Sequence, residues 1–244
     1  SNAFKNVKHI IYNGTATGSP WGALYMNKYF ENGFLYTDST KSFLIRYFGV
    51  DTNVVVPNTV ITIEHKAFSE NNNIISVIIP NSVTSIGNYV FYNCSTLASV
   101  IIQNSITSIS ISAFENCSSL TSVTIGNSVT SIGNSAFKNC SSLTSVNIPN
   151  SVISIGNYAF YGCSSLSPVT IPSSVTTIGD YAFWGCSSLT SVSIPNSVTS
   201  LGKSMFKNCI SLVSVSLPDS ITVIKESMFA GCVGLTSINM PSTV

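Results

Sequence analysis

Seven cysteines occur in this chain, at Cys94, Cys117, Cys140, Cys163, Cys186, Cys209 and Cys232, each 23 residues after the one before. Phenylalanine keeps the same interval at Phe68, Phe91, Phe114, Phe137, Phe160, Phe183, Phe206 and Phe229. Proline does so at Pro57, Pro80, Pro149, Pro172, Pro195, Pro218 and Pro241, with Gln103 and Gly126 in the two gaps. Eight full repeats therefore run from Pro57 to Met240, and residues 57–244 form a single repeat array with a partial ninth unit. A period this short and strict confines the chain to a solenoid in which each period makes one turn.

The repeat around Leu143 shows how one turn is built. Leu143, Val146 and Ile148 match the L-x-x-L-x-L core of a leucine-rich repeat. Val146 and Ile148 alternate with Ser145 and Asn147, as a strand with one buried face requires. Pro149 cannot donate a ladder hydrogen bond and should end that strand. Val152 and Ile155 then face inward on a second short extended stretch, and Gly156 frees the backbone to turn. Ala159, Phe160 and Cys163 have the spacing of one helical or 3₁₀ turn, with Gly162, or Asn139 one repeat earlier, near its end. The expected fold is an α/β leucine-rich-repeat solenoid, mostly β, with parallel strands and short helical or 3₁₀ turns. No single repeat buries enough surface to fold alone, so stacking supplies the stability. Strands about 4.8 Å apart make the array a rod of roughly 40 Å.

Residues 4–56 read differently. Val7, Ile10 and Tyr12 loosely fit the same core and suggest a decayed repeat. Residues 33–36 and 43–47 flank a polar stretch, Thr37 to Ser42, and predict a β-hairpin packed on the solenoid edge or interrupting it. Ser1-Asn2-Ala3 reads as a tag-cleavage scar, and Pro241–Val244 enters a further repeat, so a fragment is expected.

These residues carry a family resemblance. The unit I-P-x-S-V-x-S-I-G-x-x-A-F-x-x-C-x-x-L-x-S-V resembles the BspA-type leucine-rich repeats from Pro57 to Val244, and the hairpin resembles an insertion common between such repeats. The resemblance implies a surface or secreted protein of bacteria or parasitic protists, adhering to host matrix proteins and to other cells. It brings no catalytic motif. Ser110 and Lys225 stand where the family has glycine, and Pro168 occupies a strand position.

Composition narrows the function further. Only 8% of residues are charged, with 10 basic against 9 acidic and no basic cluster, which argues against nucleic acid or an anionic membrane as partner. No apolar run approaches the roughly 18 residues of a membrane span. The cysteines come singly rather than in C-x₂-C clusters, and columns about 5 Å apart suit neither zinc nor disulfides. They read as buried packing, and no cofactor is expected. His9 and His65 lack partnering acids or nucleophiles, and the recurring serines are lattice positions, so no enzyme is expected.

Variation between repeats is more informative. Two adjacent repeats carry Tyr158, Tyr161, Tyr181 and Trp184 at the positions flanking the Ala-Phe pair, and Tyr89 and Tyr92 hold the same positions further back. Since phenylalanine already fills the core, these rings should lie partly outside and form a ligand-binding patch for protein or glycan. Alternatively they stack on one another and only shield the ridge. The strand face reads Ile78, Ile101, Thr124, Asn147, Thr170, Ser193, Ser216, Asn239, a flat surface of low charge. The family resemblance, together with this patch, implies a non-enzymatic extracellular adhesion module, or else a spacer within a larger surface protein.

Overall fold

A computed structural model describes residues 28–244. The scar, the Val7–Tyr12 stretch and His9 lie outside the described residues. The array is a parallel β-solenoid, and its core is a set of columns running from repeat to repeat. Phe68 to Phe229 stack in one file with ring centroids 5.0–5.9 Å apart. Beside that file, Val152, Ile155, Ala159, Cys163 and Leu166 and most of their counterparts are buried. Identical residues stack because each turn repeats the last one rung along, so one good contact recurs at every interface.

Three short strands open the described chain: β1 (Tyr29–Glu31), β2 (Phe34–Tyr36) and β3 (Phe43–Tyr47). β1, β2 and β3 form an antiparallel meander, the expected hairpin with one more strand before it. The array then alternates between two strand positions: β4 (Asn53–Val55), β5 (Thr62–Ile63), β6 (Ser76–Ile79), β7 (Ser85–Ile86), β8 (Ser99–Ile102), β9 (Ser108–Ile109), β10 (Ser122–Thr124) and β11 (Ser131–Ile132). There follow β12 (Ser154–Ile155), β13 (Thr177–Ile178), β14 (Ser191–Ser193), β15 (Ser200–Leu201), β16 (Ser214–Ser216) and β17 (Ser237–Asn239). The L-x-x-L-x-L strands pair in parallel as β4-β6-β8-β10 and β14-β16-β17, always 23 residues apart in register. The V-x-S-I strands form a second ladder, β5-β7 and then β9-β11-β12-β13-β15. β3 pairs in parallel with β5, and Tyr47 lies 5.5 Å from Phe68, so the meander closes both this ladder and the phenylalanine file.

The ladders break where the sequence departs from its own rule. Glycine before the turn is required by close approach rather than by φ: a Cβ on Gly156 would lie 2.7 Å from the Asn134 nitrogen. Ser110 and Lys225 put a Cβ there. The second ladder is interrupted between β7 and β9, one step before Ser110, and β15 is its last strand before Lys225. On the other ladder, Pro168 has no N–H to offer, and residues 167–171 and the matching residues 144–148 form no strand, although Val146 and Val169 stay buried.

The expected helical or 3₁₀ turns are not present: the described residues contain no helix. Each repeat instead makes consecutive tight turns. Tyr161 and Cys163 donate three residues back, to the carbonyls of Tyr158 and Phe160. The alternate amides, Tyr158, Phe160 and Gly162, donate to the carbonyls of Asp180, Ala182 and Trp184 in the following repeat. Helical i→i−4 bonding would forfeit these inter-repeat bonds. The geometry needs two left-handed residues per repeat, met at Tyr158 (φ 57°) and Gly162 (φ 69°). Side-chain spacing of three residues is common to both conformations, which is why sequence suggested a helix. At the array's start Arg46 and Tyr47 take the place of a preceding repeat. The Arg46 guanidinium donates to the Lys66 and Ser69 carbonyls at 2.8 and 3.2 Å, and the Tyr47 amide donates to Ala67 at 2.8 Å.

Candidate functional site

The cysteine column is structural. Each thiol donates to the carbonyl of the phenylalanine in the preceding repeat, as Cys163 does to Phe137 at 3.1 Å. Burial pushes the Cys94, Cys163 and Cys209 thiols up to about 12, far from the thiolate a nucleophile needs.

The surface of the turn side is where repeats differ. Tyr158, Tyr161, Tyr181 and Trp184 are all half-buried and form one closed cluster. Tyr158 stacks on Tyr181 at 4.7 Å with planes 12° apart. Tyr161 meets Trp184 at 5.4 Å, Tyr158 meets Tyr161 at 5.9 Å and Tyr181 meets Trp184 at 5.2 Å. The rings therefore pack on one another and still lie partly outside. Tyr158 and Tyr181 both sit at positive φ, where a bulky side chain is disfavoured by roughly 1–2 kcal/mol. Four of the other repeats have serine there, at Ser112, Ser135, Ser204 and Ser227. Tyr89 and Tyr92, 5.7 Å apart, form a separate smaller patch with His65 against Tyr89 at 5.3 Å. Two repeats bearing Ser112, Glu115, Ser135 and Lys138 separate the patches.

Lysines frame the larger cluster. Lys207 lies over Trp184 at 4.6 Å, Lys203 over Tyr181 at 5.6 Å and Lys138 over Tyr161 at 6.0 Å. Lys138 also donates to Glu115 at 3.0 Å. Contact with the Tyr181 hydroxyl, then the charges of Tyr181 and Asp180, push the Lys203 ammonium above its usual range. These lysines are scattered singly along the sequence and form no charge run. The 23-residue grid held the signal: Lys138 is one rung before Tyr161, and Lys207 one rung after Trp184. On the strand face Val55, Ile78 and Ile101 lie side by side in register, with Val55 and Ile101 exposed, and small polar residues follow.

Comparison with known proteins bears on the whole array. A profile described as the BspA type Leucine rich repeat region (6 copies) matches residues 50–152 and 130–244. The chain belongs to the BspA-type leucine-rich-repeat family. The crystal structure of a leucine-rich repeat protein from T. pallidum is 30% identical, covering 73% of this chain and 86% of that one, with a TM-score of 0.66. A leucine-rich repeat protein from Eubacterium ventriosum is 26% identical over 67% of this chain and 51% of that one, with a TM-score of 0.55. A leucine-rich cell surface protein from Faecalibacterium prausnitzii is 25% identical over 89% of this chain and 83% of that one, with a TM-score of 0.39. A search of curated proteins finds no significant match. Proteins of the leucine-rich-repeat type generally bind other proteins. Among the described residues no helix is long and apolar enough to cross a membrane.

Proposed function

We propose that this BspA-type array is a non-enzymatic adhesion module, displayed outside the cell, that binds protein ligands on host matrix or on other cells. The contact surface is the cluster of Tyr158, Tyr161, Tyr181 and Trp184, with Tyr89 and Tyr92 as a secondary patch. One observation carries this reading. Four large rings sit half-buried on a solenoid whose core the phenylalanine file already fills, two of them in a backbone conformation that disfavours them. Aromatic side chains grouped at a surface are the usual anchors of binding. A spacer role draws on a different observation: many Ser and Thr hydroxyls of the lattice bond the carbonyls of the preceding repeat, as Ser164 does to Ser141 and Thr130 to Thr107.

The test is binding of the intact chain to a panel of immobilised host matrix proteins, beside the double variant Tyr158→Ala/Trp184→Ala. Saturable binding that the still-folded variant loses is the expected result. Binding that survives would move the contact to the strand face, and no binding by the intact chain would leave the spacer role standing instead.

A further inference from the structure

An open polar groove of about 570 Å³ runs along the array and reaches Gly162, the residue after Tyr161. Asn93, Asn116 and Asn139 line it, with Ser95, Ser118 and Ser141, and it ends at Gly162. The asparagines hold left-handed positions, with φ of 58°, 63° and 60°. Their amides chain together: Asn116 Nδ2 donates to Asn93 Oδ1, and Asn139 Nδ2 to Asn116 Oδ1, both at 2.8 Å. A carboxamide has two N–H donors and two acceptor lone pairs, so Asn116, bonded on both sides, keeps one of each for solvent or ligand. Ser118 and Ser141 donate to the carbonyls of Ser95 and Ser118 at 3.5 and 3.4 Å, which leaves their oxygens as acceptors. No charged side chain lines the groove, and Glu115 and Lys138, each next in sequence to a groove asparagine, neutralise one another.

The end of the groove differs from its length. Glycine replaces asparagine at Gly162 and Gly185, and a Cβ on Gly162 would come 2.6 Å from Asn139 Oδ1. The amide ladder therefore stops at Asn139. The residue joined to Gly162 is Tyr161, the cluster ring nearest the groove in sequence.

We propose that this groove binds an extended, uncharged oligosaccharide, one sugar per rung, with its last sugar packed against Tyr161. Rungs repeat at about 4.8 Å, close to the length of one pyranose in an extended β-linked chain. Sugar hydroxyls both donate and accept, which suits a row presenting N–H donors and oxygen acceptors alternately. The C–H face of a pyranose supplies the apolar surface that an aromatic ring covers. An absence of charge along the groove selects neutral over acidic sugars. The inference rests on the aromatic cluster being a contact surface, and it identifies what the groove side of that cluster meets: sugar carried by the partner.

Isothermal titration of the intact chain with cellohexaose and with N-acetylchitohexaose tests this. At least one should bind saturably and perturb the fluorescence of Trp184, recorded in a Trp21→Phe background. Tyr161→Ala should weaken that binding roughly ten-fold. Asn116→Gly should weaken it several-fold while the chain stays folded by circular dichroism at the titration temperature, because glycine accepts the left-handed backbone that alanine would strain. Lack of saturable binding by both hexasaccharides, or binding that neither variant alters, overturns the proposal. If the protein panel still binds through the cluster while both sugars fail, only the groove assignment falls. If neither panel nor sugars bind, the contact reading falls with it.

Discussion

The phenylalanine file predicts that the same substitution will cost different amounts along the array. Phe160 is fully buried and stacks on Phe137 and Phe183, at 5.3 Å each with planes 5° and 7° apart. Truncating a buried phenylalanine to alanine costs about 3–5 kcal/mol in lost transfer energy and residual cavity. Losing two stacked partners at ~0.5–1.5 kcal/mol each puts Phe160→Ala at the upper end of that range. Phe229 is only partly buried, and Phe206 at 5.9 Å is its stacking partner among the described residues. Its truncation leaves less cavity and breaks one stack, so Phe229→Ala should cost about half as much, roughly 2 kcal/mol. Guanidinium unfolding followed by circular dichroism gives both values from the midpoint shifts, provided the slopes agree. Calorimetry would check that the array unfolds as one unit. Equal costs for the two variants, within about 0.5 kcal/mol, would refute the idea that each ring is held by its neighbours in the file.

Two further expectations follow from the same columns. Burial raises the Cys94, Cys163 and Cys209 thiols to about 12 from a usual value of 9.0. Their protonated form is favoured in the fold, so the stability they contribute is complete below pH 9 and is lost as pH climbs towards 12. Thermal midpoints should hold from pH 6 to 8 and fall above pH 9, less so in a Cys94→Ala/Cys163→Ala/Cys209→Ala variant; identical alkaline loss in both proteins would remove thiol ionisation as its cause. Gly156→Ala should destabilise by about 1–3 kcal/mol by overpacking against the Asn134 nitrogen, although alanine ordinarily restricts the unfolded chain favourably. A midpoint at or above that of the parent would show that the preceding repeat yields at no cost.

Period alone made the solenoid legible, since cysteine, phenylalanine and proline at one interval leave a chain no other way to bury them together. The aromatic cluster was legible too, because Tyr158 and Tyr181 share a slot and must meet if the repeats stack. What escaped were consequences of bonds between repeats. The turns could not be told from helix because Ala159, Phe160 and Cys163 face inward in either conformation, and only the forward donation by Tyr158, Phe160 and Gly162 decides between them. The amide ladder through Asn93, Asn116 and Asn139 looks in sequence like a set of turn residues, and becomes a continuous surface only when the rungs are laid side by side. Ser110 and Lys225 stand out in the sequence as departures from the repeat, but their effect on the ladder follows from how closely one glycine passes over the repeat before it.

The turn side has an electrical polarity. Three peptide groups per repeat point their N–H bonds towards the following repeat and their carbonyls towards the preceding one, as at Tyr158, Phe160 and Gly162. Aligned peptide dipoles add, as they do along a helix. Here the sum runs along the rod, with its negative pole at the end where the array begins. Arg46 lies at that pole, its guanidinium on the Lys66 and Ser69 carbonyls. Every repeat added between the poles lengthens the rod without altering either one. The meander thus does more than cover an open sheet edge: it places a permanent cation at the negative pole of the turn-side dipoles.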